Sequence, residues 1–186
     1  MMEAHVVPDL LAIFECNARD AAASVSIIDD TPSAIRSAVQ QLTEGAKSIV
    51  LGLGEFTSRE TVGELRQMPN VIAEPTDEQL SVASVGVSDA FAGVASSGSV
   101  CIAMGPPLAA AASLLMPLHI VILAADRIVE RPRDLFDPAC LGGEGRHRNL
   151  VFITGPSATA DMGPLVRGVH GPHHLQILVL RNGHGQ

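Results

Sequence analysis

A glycine-rich segment near the end of the chain combines several residue types that bind small ligands. It runs from Gly155 to Asp161 as Gly-Pro-Ser-Ala-Thr-Ala-Asp and follows a predicted strand over residues 150–154. Glycine lets the backbone approach a ligand closely, Ser157 and Thr159 offer hydroxyl groups, and the Asp161 carboxylate can accept a proton or orient a partner. Loops that follow parallel strands bind ligands in open α/β sheets. The alternative is an ordinary turn whose side chains bond to its own backbone.

A second segment, from Gly168 to Pro172, places His170 between two glycines. This setting exposes the imidazole, which could act as an acid, a base or a hydrogen-bond donor. The alternative is a histidine that is merely exposed. His173 and His174 follow at once, so a metal site made of the three histidines is a further alternative. Adjacent side chains of an extended segment point in opposite directions and no carboxylate is spaced to join them, so we predict no metal site.

Three other segments could carry chemistry on weaker signals. Asp89 stands at a predicted strand end, where it could cap a helix or serve as a site acid. Ser96-Ser-Gly-Ser99 has neither the G-x-S-x-G pattern nor an adjacent base, so a turn is favoured over a serine nucleophile. Gly52-Leu-Gly54 could bind an anion at a helix N-terminus, but it lacks the third glycine of the dinucleotide fingerprint. The candidate catalytic residues are Asp89, Asp161 and His170, and the candidate ligand-binding residues are Gly98, Ser99, Gly155, Ser157, Thr159, Gly168 and Gly171.

Capping signals and apolar periodicity predict the elements that carry these loops. Thr31-Pro32 begins a helix over residues 32–44, and a β-branched strand over residues 48–51 follows it. Thr57-x-x-Glu60 and Thr76-x-x-Gln79 are capping boxes that begin two further helices. Strand–helix steps that follow each other in this way predict a parallel α/β sheet.

Short strands separated by turns follow, and they predict a hairpin or meander and therefore a mixed sheet. The remaining predicted elements are strands over residues 71–73, 85–87, 91–95, 99–103, 119–123, 150–154 and 175–180, and helices over residues 109–116 and 132–140. We predict one domain over residues 1–186. Residues 1–30 form its N-terminal helix and lead-in strand, residues 31–180 its α/β core and residues 181–186 its tail.

Composition argues against several classes of function. The formal net charge is -8 with 12 Lys and Arg, and the chain has neither Trp nor Tyr, so the basic and aromatic surfaces that bind nucleic acid are scarce. Cys16, Cys101 and Cys140 form no C-x-x-C pair, which predicts reduced thiols and no iron–sulfur cluster bound by this chain alone. Residues 1–11 lack a signal-peptide pattern, and no apolar run reaches the roughly 18 residues that span a bilayer. We therefore predict a cytoplasmic protein that binds neither nucleic acid nor membrane.

The order of four motifs resembles the LUD-domain family, in particular its lactate utilization protein C (LutC/YkgG-like) members. The resemblance extends from about Val71 to Leu180 and is looser before that. The combination of ordered motifs is far more specific than any one of them. The motifs are Gly86-Val-Ser-Asp-Ala-Phe-Ala-Gly-Val-Ala-Ser-Ser-Gly-Ser99, Ser113-Leu-Leu-Met-Pro-Leu-His-Ile120, Gly155-Pro-Ser-Ala-Thr-Ala-Asp161 and Gly168-Val-His-Gly-Pro172.

The resemblance implies a fold and a pathway. The fold is of the NagB/RpiA/CoA-transferase-like type, a Rossmann-like three-layer α/β/α arrangement around a mostly parallel, mixed sheet, so that residues 1–186 form a single LUD domain. The implied role is to take part in oxidising L-lactate to pyruvate, beside an iron–sulfur LUD protein and an FeS oxidoreductase. In this view a small organic acid is the ligand, and the iron–sulfur clusters are bound by the partner subunits. Association between copies of this chain stays open.

This sequence departs from the family pattern at several positions. Relatives tend to carry an acidic residue and a threonine where Ser96-Ser97 stand here, and often an arginine in the segment that is Ala109–Ala112 here and another at Ala158. A glutamate commonly follows where Met162-Gly163 stand. Each missing arginine removes charge-assisted hydrogen bonds worth about 1.5 to 3 kcal/mol. The departures predict a ligand that differs from that of the family.

Three functions compete at this level. The first is a small-molecule-binding subunit or enzyme of lactate or related organic-acid metabolism. It predicts a single pocket lined by Asp89, Gly98, Ser99, Ser157, Asp161 and His170. The second is a non-catalytic accessory protein that docks onto an iron–sulfur oxidoreductase partner. It predicts an apolar or conformationally open surface patch and no ligand pocket. The third, a sugar-phosphate isomerase or CoA-transferase, rests on fold analogy alone and ranks last, because the only lysine, Lys47, precedes a predicted strand instead of following one.

Overall fold

Strands and helices alternate along most of the chain. The computed structural model describes residues 9–106, 108–137, 140, 149–159, 166–167 and 171–181. The α-helices are α1 (Leu10–Asp20), α2 (Pro32–Leu42), α3 (Arg59–Arg66), α4 (Asp77–Ser81) and α5 (Ala109–Leu114). The strands are β1 (Ser24–Asp29), β2 (Ile49–Gly52), β3 (Val71–Ile72), β4 (Val85–Asp89), β5 (Ala92–Val94), β6 (Ser99–Ala103), β7 (Leu118–Ala124), β8 (Ile128–Val129), β9 (Leu150–Ile153), β10 (Ala158–Thr159), β11 (Val166–Arg167) and β12 (His174–Arg181).

Capping side chains fix where the helices begin. Thr31 caps α2 and Thr76 caps α4 through a full capping box with Gln79, as the sequence predicts. The predicted cap of α3 is wrong by one residue, because the Ser58 hydroxyl, and not that of Thr57, accepts the Thr61 N–H. Thr57 is buried instead, and its hydroxyl has no hydrogen-bond partner within the part of the chain that the structure describes. The segment predicted as a helix over residues 132–140 contains a short 3-10 helix at Pro132–Phe136.

Six parallel strands form the main sheet in the order β1-β12-β7-β4-β2-β3. The central strand β7 is apolar on both faces because the sheet is covered on both sides: Ile120 and Ile122 pack into one core and Val121 and Leu123 into the other. Parallel strands place all their carboxyl ends at one edge of the sheet, here called the carboxyl edge, and their amino ends at the opposite amino edge.

The predicted hairpin is present, but it lies in a separate sheet. β5 and β6 pair antiparallel, and β9 and β8 complete four strands in the order β8-β5-β6-β9. β9 is antiparallel to β6, so the loop that follows it does not lie at the carboxyl edge of the parallel sheet. That placement corrects the sequence argument for the segment that begins at Gly155.

The elements form three layers, which confirms the predicted fold class. Helices α2 and α3 cover one face of the main sheet through Ile35, Val39 and Leu65. The other face carries α1 and the second sheet, which share a core with β1, β7 and β12. Helix α5 also packs very closely onto the main sheet: a Cβ at Gly86 on β4 would overlap the backbone oxygen of Ala112 on α5. No helix among the described residues is long and apolar enough to cross a membrane.

Candidate functional site

Asp89 is the last residue of β4, and its side chain is hydrogen-bonded to the loop that follows β2. Its carboxylate is 4% exposed, and it accepts hydrogen bonds from the N–H of Gly54 at 2.9 Å and of Phe56 at 3.0 Å. Burial raises the pKa of Asp89 above 3.8, although these backbone N–H groups act in the opposite direction. Asp89 therefore combines a structural role at the carboxyl edge with a proton affinity above that of an ordinary aspartate.

Arg127 extends from the end of β7 to the same loop. Its guanidinium lies 4.8 Å from the centre of the Phe56 ring and donates to the Phe91 carbonyl oxygen at 3.4 Å. Phe56 and Phe91 meet edge to face, with ring centres 5.6 Å apart. Stacking on an aromatic ring restricts the guanidinium without neutralising its charge. A positioned cation thus stands beside the loop that Asp89 holds.

A cavity of about 300 Å³ opens at the carboxyl ends of β1, β12 and β7, and Arg127 is part of its wall. Its charged lining residues are Asp30, Asp126, Arg127 and Arg181. Within the described part of the chain, none of these four side chains forms an ion pair. Two cations and two carboxylates therefore line one small cavity with their charges open to an incoming ligand.

The lining suits a small polar acid. A guanidinium binds a carboxylate through two parallel N–H···O bonds, and an aspartate accepts a hydrogen bond from a hydroxyl. The volume is at the lower end of ligand sites, which span roughly 300 to 1,000 Å³. The position also matches the general location of ligands in open α/β sheets, outside the carboxyl ends of the strands.

A larger cavity, of about 580 Å³, lies at the other end of the molecule. It opens between the end of α2 and the segment that precedes β3, and Arg36 and Glu44 are its charged lining residues. Ile49, the first residue of β2, is also part of the wall, so this cavity lies at the amino edge. Its place away from Asp89 and Arg127 makes it the weaker candidate.

Most of the predicted ligand-binding residues that the structure describes are brought together, but not beside Asp89. Ser99 donates to or accepts from both Ser97 and Thr154, which precedes Gly155. Ser157 N–H donates to the carbonyl oxygen of Pro172 at 3.0 Å. We call this group the amino-edge cluster, and its predicted site residues are Gly98, Ser99, Gly155, Ser157 and Gly171.

Two glycines of the amino-edge cluster pack against the end of α1. Gly98 has a φ of +64°, and a Cβ there would overlap the backbone of Ala18. Gly155 has a φ of +71°, and a Cβ there would overlap the carbonyl oxygen of Ala21. Because Ala21 lies three residues before the start of β1, the cluster lies at the amino edge. Close backbone packing thus accounts for both glycines without a ligand.

The other predicted residues are only partly described. The backbone of Thr159 belongs to the short ribbon of β10 and β11, where it is paired with Val166. Asp161, Gly168 and His170 lie outside the described residues, so their proposed roles stay predictions.

Sequence reasoning missed the charged lining of the carboxyl-edge cavity. Asp30 directly follows β1, Arg181 ends β12, and Asp126 and Arg127 follow β7 within three residues. A usable signal was present, since each charged residue stands at the end of a strand or within three residues after it. The segments singled out in the sequence contain glycines and hydroxyl side chains, whereas the charged residues that line this cavity belong to no recognised motif.

His119 is a buried titratable group under α5. Its Nε2 lies 2.8 Å from the Ser88 hydroxyl, and its Nδ1 has no hydrogen-bond partner among the described residues. Burial lowers the pKa of His119 from 6.5 to about 4. The neutral ring is thus the form that the fold accommodates.

We expect His119 to make the protein less stable as the pH falls. Because its folded pKa lies below its unfolded pKa, the unfolded chain binds the proton first, and stability is lost progressively between pH 6.5 and pH 4. The free energy of unfolding falls by about 1.4 kcal/mol per pH unit, which amounts to about 2 kcal/mol over the first one and a half pH units. Urea unfolding of the parent and of His119→Gln across this range measures it. Equal pH slopes in the two proteins would contradict the prediction.

Comparisons with known proteins identify the family. The family model described as the LUD domain matches residues 60–180. Lactate utilization protein C of Shouchella clausii (strain KSM-K16) is 33% identical over 140 residues, which cover 69% of this chain and 60% of that protein. Lactate utilization protein C of Deinococcus radiodurans is 39% identical over 72 residues, covering 38% and 33%. An uncharacterized protein of Neisseria meningitidis serogroup B is 30% identical over 100 residues, covering 53% and 43%.

A solved structure supports the same fold. A DUF162 family protein from Deinococcus radiodurans matches with a TM-score of 0.68 and 18% identity, covering 94% of this chain and 99% of that one. The matched regions span 60% or less of the length of the curated relatives. The family model nevertheless covers well over half of this sequence, which confirms the resemblance. The chain belongs to the LUD domain family.

Proposed function

We propose that this chain takes part in the oxidation of L-lactate to pyruvate and binds a small organic acid at the carboxyl edge of its parallel sheet. The observation that carries the proposal is the cavity of about 300 Å³ whose wall includes Arg127 and Arg181. The names of two relatives, lactate utilization protein C, supply the metabolic context. A cytoplasmic location is part of the same proposal.

Each charged group of the site has a distinct task in this proposal. Arg127, held on the Phe56 ring, anchors the carboxylate of the acid. Arg181 adds a second positive charge from the end of the neighbouring strand, and Asp30 and Asp126 accept a hydrogen bond from a hydroxyl on the ligand. Asp89 keeps the loop of Phe56 in place and thereby positions Arg127.

The oxidation itself is assigned to partner subunits, an iron–sulfur LUD protein and an FeS oxidoreductase. The cysteines of this chain do not fit an iron–sulfur cluster. Cys101 is buried on β6, and burial raises the pKa of its thiol to about 11, which disfavours the thiolate that ligates iron. Cys16, on α1, is exposed, and no group of three metal-binding side chains forms among the described residues.

Titration with L-lactate, pyruvate and other small organic acids tests the proposal. Protein-observed NMR shifts or calorimetry give the dissociation constant for each acid. Arg127→Gln is expected to weaken binding about 10- to 100-fold, because a charge-assisted pair is worth about 1.5 to 3 kcal/mol. Arg36→Gln is the matched control, since it removes the same charge from the amino-edge cavity.

Two results would contradict the carboxyl-edge site. One is that no acid binds the parent protein at any accessible concentration. The other is that Arg36→Gln weakens binding while Arg127→Gln does not, which would move the site to the amino-edge cavity.

An accessory role is the second candidate function, and an apolar surface favours it. Val82 is 75% exposed and Leu115 is 63% exposed. Leu115 and Ser81, the neighbour of Val82, line one cavity of about 360 Å³ between α4 and α5. In this alternative the α4/α5 surface docks onto the iron–sulfur partner. Leu115→Asp is then expected to weaken the complex with that purified partner, whereas Phe136→Asp, also at an exposed apolar residue, should not. Equal effects would contradict docking through this surface.

A further inference from the structure

Strand β1 forms a long edge of the main sheet. It runs over the six residues Ser24–Asp29, all in register with β12, and no described strand pairs with its outer side. The opposite edge, β3, has only two residues. An edge strand presents a row of N–H and C=O groups that can pair with another chain. β1 is therefore the edge with most capacity for such pairing.

The hydrogen bonds of β1 show which residues face outward. Asp30 N–H donates to the carbonyl oxygen of Arg181 on β12 at 3.2 Å. Because the direction of the backbone groups alternates along a strand, the N–H and C=O groups of Ser24, Ser26 and Ile28 also point toward β12. The backbone N–H and C=O groups of Val25, Ile27 and Asp29 then point to the open side of β1, at the edge of the sheet. The Val25 carbonyl oxygen confirms this direction, because it accepts a hydrogen bond at 2.8 Å from the Arg19 side chain, outside the ladder.

The outward groups are complementary to a second copy of themselves. The carbonyl oxygens of Val25 and Asp29 already accept one hydrogen bond each, from Arg19 and from Thr31 N–H. Within the described part of the chain, the N–H of Val25, both groups of Ile27 and the N–H of Asp29 have no hydrogen-bond partner. An antiparallel pair that is symmetric about Ile27 places Val25 opposite Asp29 and Ile27 opposite Ile27. Residues opposite each other in such positions exchange both hydrogen bonds. In this register the Ile27 oxygens are free acceptors, whereas the Asp29 oxygen must accept a second bond through its other lone pair and the Val25 oxygen must do the same or release Arg19.

Side chains favour the same register. Ile27 is 37% exposed, and the two-fold axis would bring it against its own copy and bury both side chains. Arg19, bound at the Val25 end of the strand, would stand beside Asp29 of the second copy. Arg19 already pairs with Glu15 on α1 at 2.8 Å. Its guanidinium can keep that pair and exchange the Val25 oxygen for the Asp29 carboxylate, while the Asp29 N–H of the second copy takes over the Val25 oxygen. Each end of the paired strands would then hold one guanidinium between two carboxylates.

We propose that two copies of this chain associate through antiparallel pairing of β1 with β1 about a two-fold axis at Ile27, which joins the two main sheets into one. The occupant of this edge is a second copy, and not a peptide of another protein, because the symmetric register pairs every outward N–H with an outward carbonyl oxygen and brings Asp29 of one copy beside Arg19 of the other. The proposal is independent of the ligand at the carboxyl edge.

Sedimentation of the full chain over a wide concentration range tests the association. The parent is expected to show a monomer–dimer equilibrium, and Ile27→Lys, which places like charges opposite each other on the axis, should raise the dimer dissociation constant at least about ten-fold. Val82→Lys is the control, because it adds the same charge at an exposed apolar residue elsewhere. A parent that is monomeric at every concentration overturns the proposal, as does a dimer that Ile27→Lys leaves unchanged.

Cross-linking and charge exchange test the register. Opposite residues of a hydrogen-bonded antiparallel pair have Cα atoms about 5.5 Å apart, within disulfide range. Ile27→Cys, with the exposed Cys16 and Cys140 changed to serine, should therefore form a covalent dimer on oxidation, and Val82→Cys in the same background should not. Arg19→Glu and Asp29→Lys should each weaken the dimer, and the double variant should restore it. Equal cross-linking at both positions, or no restoration, overturns the register.

Discussion

Replacing Gly98 by alanine is expected to lower the free energy of unfolding by about 2 to 5 kcal/mol. A left-handed φ costs a non-glycine residue about 1 to 2 kcal/mol, and forcing an extra methyl group into a packed interior costs about 1 to 3 kcal/mol. Gly98 incurs both, because its φ is +64° and its Cβ would overlap the backbone of Ala18 on α1. Urea unfolding of the parent and the variant measures the difference.

Gly45→Ala separates the two contributions. Gly45 has a φ of +77°, but nothing lies within 4 Å of the position its Cβ would take, so only the backbone cost of about 1 to 2 kcal/mol is expected there. A Gly98 variant no less stable than the Gly45 variant would show that packing against α1 does not explain this glycine. The ligand-binding role predicted for Gly98 would then be the better explanation.

Replacing Asp89 by alanine is expected to cost about 2 to 5 kcal/mol and to loosen the loop between β2 and α3. The change leaves the N–H groups of Gly54 and Phe56 without acceptors, and a buried donor without a partner costs about 1 to 3 kcal/mol. Hydrogen exchange at these two amides should become faster in the variant. Unfolding measurements give the stability, and ligand titration shows whether Arg127 has lost its position.

Asp89→Asn is the matched control, because its single oxygen keeps one acceptor and its loss of stability should be smaller. The two side chains also differ in their response to pH. Burial raises the folded pKa of Asp89 above its unfolded value, so its contribution to stability is present at low pH and is lost as the pH rises through the folded pKa. That dependence should be absent from Asp89→Asn. An alanine variant as stable as the parent would contradict the role assigned to Asp89.

The sequence by itself determined the local structure and the family. Side-chain caps at Thr31 and Thr76 and the apolar runs of β7 and β12 act over a few residues, so they could be recognised without coordinates. The order of motifs identified the LUD domain for the same reason, since it depends on residues in series. It also marked Asp89 as a strand-end acid.

Only the tertiary structure decided which of these residues meet. The chain passes from β1 at one edge of the sheet to β2 near the other, and β12 returns to lie beside β1. Asp89 thereby reaches Phe56, and Arg127 and Arg181 come to line one cavity, across separations that no local pattern encodes. The same packing placed Gly98 against α1 instead of beside Asp89. Strand order, which results from burying both faces of the sheet, was the information that the sequence did not display.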